Sequence, residues 1–231
     1  NFERELGSDG ELQAWKYLAT PIVDFTSKYE PEDRAVTKQE ALNMSGLDAG
    51  AFNEMGKLAV LGGWAVRVLV EKMGLQLWDL KWEFARDGDD LVFVDTIDTD
   101  SFRATSILND GDDRFVIHYN KQAMRDYYKI AHAEWLGAVG EAKNDARVEG
   151  VPFVDLLRSR QASGDVPEDP EVDSDFLSIQ VEKMNLIKDC ILGRKDGADV
   201  TQALEECGRR EVNFYTAANW RGDLLKLNGL D

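Results

Sequence analysis

The sequence predicts an α+β protein in which an antiparallel hairpin packs on helices and a mainly helical C-terminal region follows. Three observations lead there. Residues 52–73 carry Phe52, Met55, Leu58, Ala59, Gly62, Ala65, Val66, Leu69 and Met73 at helical spacing, which marks one long core helix. Residues 74–103 hold two apolar runs of strand length about a turn. From residue 113 onward, apolar residues recur at helical intervals, broken by Gly, Pro and acidic segments. The 231 residues, 43% of them hydrophobic, can bury one good-sized core or two small ones.

In chain order, the first fifty residues read as mostly irregular. Gly7-Ser8-Asp9-Gly10 is a turn, Ile22 to Ser27 a short strand, and Tyr29-Glu30-Pro31-Glu32-Asp33 a loop. Thr37-Lys38-Gln39-Glu40 is a capping box opening a short helix to Met44, since Thr and Glu can satisfy each other's free amides. Gly46 ends it. The long helix stops at Gly74, and Gly62-Gly63 in its middle suggests another backbone packed close. Strand 75–84 comes next and Arg86-Asp87-Gly88-Asp89 turns it, because Asp-Gly accepts the positive φ of a tight hairpin. Strand 91–97 returns to pair with it, backed by the 52–73 helix. Helices are then expected from Lys121 to Ala142 and from Pro152 to Leu157, with Pro in a tolerated first turn. Another runs from Asp175 to Leu192, capped by Ser174 and stopped by Gly193. Asp199–Cys207 and Trp220–Leu227 are shorter ones, and acidic residues 163–174 form a solvent loop or a disordered linker.

Composition narrows the class. A net charge of −17 argues against a non-specific nucleic-acid binder, because phosphate backbones repel such a surface. No run of eighteen apolar residues exists, so no membrane span is expected. The start, Asn1-Phe2-Glu3-Arg4-Glu5, has no signal-peptide pattern. Cys190 and Cys207 read as reduced structural thiols, which fits a cytoplasmic protein. His118 and His132 lack the spaced Cys or His partners of a zinc site and receive no role.

The most charged stretch is also the most strand-like. Asp79, Lys81 and Glu83 alternate with Leu80 and Trp82, so a period of two puts all three on one face. Asp95, Asp98, Asp100 and Arg103 follow at the hairpin's exit. The pattern leaves two readings open. It is one solvated face of an antiparallel sheet, or it is a place to hold a divalent cation and a phosphate.

Three ordered segments resemble one family. Asp79-Leu80-Lys81-Trp82-Glu83-Phe84, an apolar strand ending in Asp95, and Thr99-Asp100-Ser101-Phe102-Arg103 are similar to the D-x-K-x-E-F and D-S-x-R core signature of SAICAR synthetase, phosphoribosylaminoimidazole-succinocarboxamide synthase. Upstream, Pro21-Ile22-Val23-Asp24-Phe25-Thr26-Ser27-Lys28 resembles its P-x-x-F-T-x-K segment. Downstream, Tyr119-Asn120-Lys121-Gln122-Ala123-Met124-Arg125-Asp126-Tyr127 resembles F-D-K-Q-x-x-R-D-W/Y. The resemblance implies an ATP-grasp-like C-terminal lobe over residues 1–130, with 131–231 a mainly helical region carrying the acidic loop. It also implies an ATP-dependent carbon–nitrogen ligase of purine biosynthesis, which joins aspartate to the carboxylate of an aminoimidazole ribonucleotide (CAIR to SAICAR) through an acyl phosphate.

Site residues follow from the motif positions. Glu83 and Asp95 match the family's metal-binding acids, and two carboxylates suit Mg²⁺, which keeps several waters. Lys81 matches the lysine on the nucleotide phosphates and is counted catalytic with Asp100 and Arg103. Asp79, Asp100, Ser101 and Arg103 match the substrate side, and the Arg103 fork suits a carboxylate or phosphate. Lys28, Lys121 and Arg125 complete the substrate-binding set; Lys28 and Arg125 read equally well as surface cations. The implied cofactors are ATP and Mg²⁺.

The sequence departs from the family at Phe102, where Ser is usual, and at Asn120, which replaces an acid. Only twenty residues precede Pro21, whereas the family carries a nucleotide lobe there. We therefore expect an oligomer, with a companion chain or a second protomer supplying that lobe. Two alternatives stay open: a related amide ligase of specialised nucleoside biosynthesis, and a non-catalytic partner-binding homologue.

Overall fold

The structure is a computed structural model that describes residues 15–18, 20–28, 30 and 34–230. The turn expected at residues 7–10 and most of the loop at 29–33 lie outside the described residues. The chain divides into two compact units, residues 1–64 with 84–92 and residues 65–83 with 93–231.

In the first unit, β1 (Phe25–Thr26) pairs antiparallel with β2 (Ala35–Val36). The strand expected over 22–27 is thus only two residues long. Helix α1 (Lys38–Ser45) opens with the expected capping box: the Thr37 hydroxyl accepts from the Glu40 amide, and the Glu40 carboxylate accepts from the Thr37 amide at 2.8 Å. The ring of Phe25 lies 5.0 Å from that of Phe52. Helix α2 (Ala49–Glu71) begins in this unit and ends in the second. It stops before Gly74, whose φ of +70° and whose approach to Thr201, at 2.6 Å from a built Cβ, leave no room for a side chain.

The second unit is built on an antiparallel sheet of three strands: β3 (Gln76–Leu80), β6 (Phe102–Asp110) and β7 (Asp113–His118), in the order β3-β6-β7. The expected pairing of strand 75–84 with 91–97 is corrected here. The first strand splits at residues 81–83: β3 pairs with β6, whereas β4 (Phe84–Asp87), which belongs to the first unit, pairs with β5 (Asp90–Phe93) across the Gly88 turn. The amide of Lys81 goes to Ser101 O at 2.8 Å, so the chain is captured by the β6 side before it can continue the hairpin. Strands β6 and β7 were not anticipated. Phe115, Val116, Ile117 and His118 are all buried, so β7 shows no alternation, and such a short apolar run does not tell strand from helix.

Among the described residues, six helices follow β7. Asn120 caps α3 (Lys121–Ala131), His132 breaks the chain with φ −135° and ψ 41°, and α4 (Ala133–Glu149) follows, so the single helix expected over 121–142 is two. Helix α5 (Phe153–Ser163) starts after Pro152, and α6 (Ser174–Ile191) is capped by Asp173, one residue earlier than Ser174. Helix α7 (Gly197–Ala217) is far longer than 199–207, and α8 (Arg221–Asn228) closes the chain. The acidic loop between α5 and α6 is pinned by Gln161, which donates to Pro167 O at 3.3 Å and Asp169 Oδ1 at 2.9 Å, and by the buried Val166.

One apolar core joins these pieces. Val66, Val70 and Met73 of α2 pack with Leu77, Phe102, Ala104, Phe115 and Ile117 of the sheet and with Phe176, Ile187, Leu204 and Tyr215 of the C-terminal helices. Cys207 is buried and Cys190 partly so; both are free thiols. Burial pushes the Cys207 pKa up to about 11.

Candidate functional site

Around residues 79–103 the two splayed strand ends bring most of the charged motif together. A register shift between Leu77 and Asp79 re-aims the strand there, with Trp78 Nε1 donating to Thr105 Oγ1 at 2.7 Å. Asp79 stands opposite Arg103 in the ladder, and their side chains pair at 3.2 Å. Two residues on, Lys81 Nζ lies 3.3 Å from Glu83 Oε1. The Glu83 carbonyl accepts from the Val94 amide at 3.0 Å, so Glu83 and Asp95 stand on adjoining stretches of chain. The Trp82 and Phe93 rings, 4.7 Å apart, hold those stretches together from the apolar side.

The loop that follows is organised by Asp98, a residue to which the motif gave no role. Its carboxylate accepts from Thr96 Oγ1 and from the Asp100 amide, each at 2.8 Å, and from the Ser101 amide at 3.1 Å. Partial desolvation pushes its pKa up, but those three donors together outweigh it and hold the group below 3.8. Ser101 is consumed locally, its hydroxyl donating to Asp98 O at 3.0 Å. Asp100 is left exposed at the tip, 3.9 Å from Lys121 Nζ.

Placement of the expected residues is therefore uneven. Asp79, Lys81, Glu83, Asp95, Asp100, Ser101, Arg103 and Lys121 all belong to the second unit and cluster along this segment and the start of α3, with Arg125 exposed one helical turn further on. Lys28 belongs to the first unit. Arg103 Nε is buried without an acceptor among the described residues. Among the described residues, no three His, Cys, Asp or Glu side chains gather as a metal cage. A two-carboxylate Mg²⁺ site completed by phosphate and water needs no such cage, and Glu83 with Asp95 is a donor set of that type.

The two departures from the family pattern find a structural cause, and they touch. Phe102 is 3% exposed and belongs to the core. Asn120 accepts from the Gln122 amide as N-cap of α3, and its Nδ2 donates to the Phe102 carbonyl at 3.3 Å. An Asp there could cap but could not make the second bond. Behind α3, Asp126 is buried and takes four partners: Gln122 at 2.7 Å, Lys129 at 3.3 Å, Asn228 at 3.1 Å and His118 at 3.7 Å. Sequence reasoning missed it, because two of those partners come from other elements.

Comparison with known proteins agrees with this segment. The family model described as SAICAR synthetase matches residues 5–141. The chain is 33% identical over 121 residues to the phosphoribosylaminoimidazole-succinocarboxamide synthase of Streptomyces coelicolor, covering 51% of this chain and 40% of that protein. It is 32% identical over 134 residues to an Archaeoglobus fulgidus protein provisionally given the same name, covering 58% and 38%. A Thermoplasma volcanium protein of that name is 31% identical over 113 residues, covering 48% and 38%. The chain thus spans about two fifths of the length of these relatives. No solved structure matches it. The family match takes in more than half of the chain and all three motifs, and the protein belongs to the SAICAR synthetase family.

Proposed function

We propose that this chain carries the substrate-side and metal-binding part of an ATP-dependent ligase that joins aspartate to the carboxylate of an aminoimidazole ribonucleotide. The observation that supports it is the clustering of Lys81, Glu83, Asp95, Asp79, Asp100, Arg103 and Lys121 within a segment the family match covers. Forming an amide in water requires an activated carboxylate. A substrate carboxylate oxygen attacks the γ-phosphorus of ATP and ADP leaves. The aspartate amine then attacks the acyl carbon, phosphate departs, and the amine gives up a proton.

Each residue has a part in that sequence. Glu83 and Asp95 would hold Mg²⁺, which supplies charge neutralisation at the phosphates. Lys81 leaves its Glu83 partner to meet the transferring phosphoryl oxygens, where negative charge spreads. Arg103, with one donor short of an acceptor, suits the ribonucleotide's carboxylate or phosphate. Asp100, exposed and flanked by Lys121, is placed to orient the incoming amine, with Ser101 and Arg125 lining the same side. Residues 1–130 then act as the catalytic lobe and 131–231 as helical support. Because Phe102 and Asn120 serve packing and capping, they give no reason to assign a different acceptor.

The chain spans about two fifths of its relatives' length, and on this reading the rest of the site is supplied in the same polypeptide, by a companion or by a second protomer. A nucleotide left uncovered would lose its γ-phosphate to water. The test is direct: the complete enzyme, given aspartate, CAIR and Mg·ATP in a cytoplasm-like buffer, should form SAICAR and ADP in equal amounts. ADP release that ignores aspartate, or no product mass at all, would refute the assignment. Micromolar binding of Mg·ATP by the isolated chain as a monomer would refute the need for a cover.

A further inference from the structure

The family match ends at residue 141, yet side chains from beyond it hold its last motif in place. Lys183, on α6, is 1% exposed. Its Nζ donates to the His118 carbonyl at 3.1 Å, pairs with the Glu211 carboxylate, and lies 4.9 Å from the centre of the Tyr119 ring. Glu211, on α7 and also buried, accepts a further bond from Gln180 Nε2 at 2.8 Å. A buried chain of three polar side chains from two helices, Gln180 to Glu211 to Lys183, thus ends on residues 118–119, where β7 passes into α3.

What stands next in the chain is the motif itself. Tyr119 donates its amide to Ala104 O at 3.0 Å, Asn120 bonds Phe102 O, and Lys121 reaches toward Asp100. A fully buried ion pair is a poor choice for stability, since well-packed apolar residues of similar volume usually serve a fold as well or better. It is a good choice for fixing one carbonyl in one place, because a charged donor bonds a carbonyl more strongly than a neutral one does.

We infer that Lys183, held by Glu211, is a positioning residue: by pinning the His118 carbonyl it sets where Asn120 and Lys121 stand relative to Asp100. It acts on the carboxylate-substrate side and leaves the phosphate side at Lys81 and Glu83 unaffected. The identity of that substrate rests on the ligase reading; the pin does not.

The double variant Lys183→Met/Glu211→Gln tests this, since it removes both charges together and keeps an acceptor for Gln180. With far-UV circular dichroism unchanged, amide exchange at residues 119–123 should quicken by roughly tenfold, as expected for losing a charged hydrogen bond, while exchange in the β6 core stays put. On the complete enzyme the KM for the ribonucleotide carboxylate should rise by about the same factor, with the KM for ATP changing by less than about twofold. Exchange at 119–123 that stays at the wild-type rate, or both KM values rising together, would overturn the inference. If the wild-type enzyme makes no ligated product, the ligase reading fails by itself and the exchange measurement alone decides the pin. Should the double variant not fold, Gln180→Leu loosens Glu211 without touching the pair. Faster exchange confined to 119–123 in that variant would support the pin, and an unchanged pattern would overturn it.

Discussion

Replacing Phe176 by Ala should test whether the C-terminal helices and the motif helix α3 form one cooperative body. Phe176 is fully buried on α6, with its ring stacked on Tyr127 of α3 at 4.4 Å, tilted against Phe214 at 5.5 Å and edge-on to Tyr215 at 5.9 Å. Truncating a buried Phe costs about 3–5 kcal/mol through lost burial and an unfilled cavity. The stacked pair adds about 0.5–1.5 kcal/mol beyond area alone. Tyr127 also accepts from the Asp173 amide at 3.0 Å, so the cavity sits directly beneath the cap of α6 and has little freedom to collapse. A loss near 4 kcal/mol corresponds to a fall in Tm of about 8–16 °C for a unit of this size. Thermal melts by circular dichroism and by aromatic fluorescence should shift together, as a single step. A loss below about 1 kcal/mol, or helix melting that precedes the fluorescence change, would refute the single core.

Two smaller perturbations address the site's frame. Asn120→Ala removes the N-cap of α3 and the bond to Phe102 O; a loss of about 1–2 kcal/mol is expected in urea titration, and an unchanged midpoint would count against the cap. His118 is pushed below 6.5 first by burial and by the nearby Lys183 and Arg103, against the pull of Asp126 and Glu211. Its unfolded form therefore takes up the proton more readily, so stability should fall as pH drops below 6.5. A His118→Asn variant that keeps the same acid slope would show that another group is responsible.

The helices were legible wherever a cap or an apolar stripe spoke for itself. Thr37 and Glu40 announced α1, Gly74 ended α2, and Gly193, with a φ of +67°, ended α6. The sheet was harder to read because its evidence is non-local. Nothing in residues 75–84 says that the chain will leave Leu80 for β6 and rejoin a different hairpin at Phe84; the Lys81–Ser101 bond that decides it spans the intervening loop. Likewise β7 is buried on both faces, so it lacks the alternation by which a strand is recognised. At the site, motif resemblance named the charged residues, and the chain brings most of them together. The buried Lys183–Glu211 pair and Asp126 stayed hidden because their partners lie far away in sequence, on elements that pattern alone cannot place side by side.

The most direct measurement of the central claim is ligation by Glu83→Gln in the complete enzyme. Glu83 is partly exposed and its pair with Lys81 lies near the surface, so the substitution should leave the fold within about 1 kcal/mol of wild type. It removes one of the two carboxylates assigned to Mg²⁺ and the charge that pairs with Lys81. Aspartate-dependent SAICAR formation should fall to below about a hundredth of the wild-type rate, with circular dichroism unchanged. Full activity in the folded variant would contradict the assignment of Glu83 and Asp95 to the metal and nucleotide site.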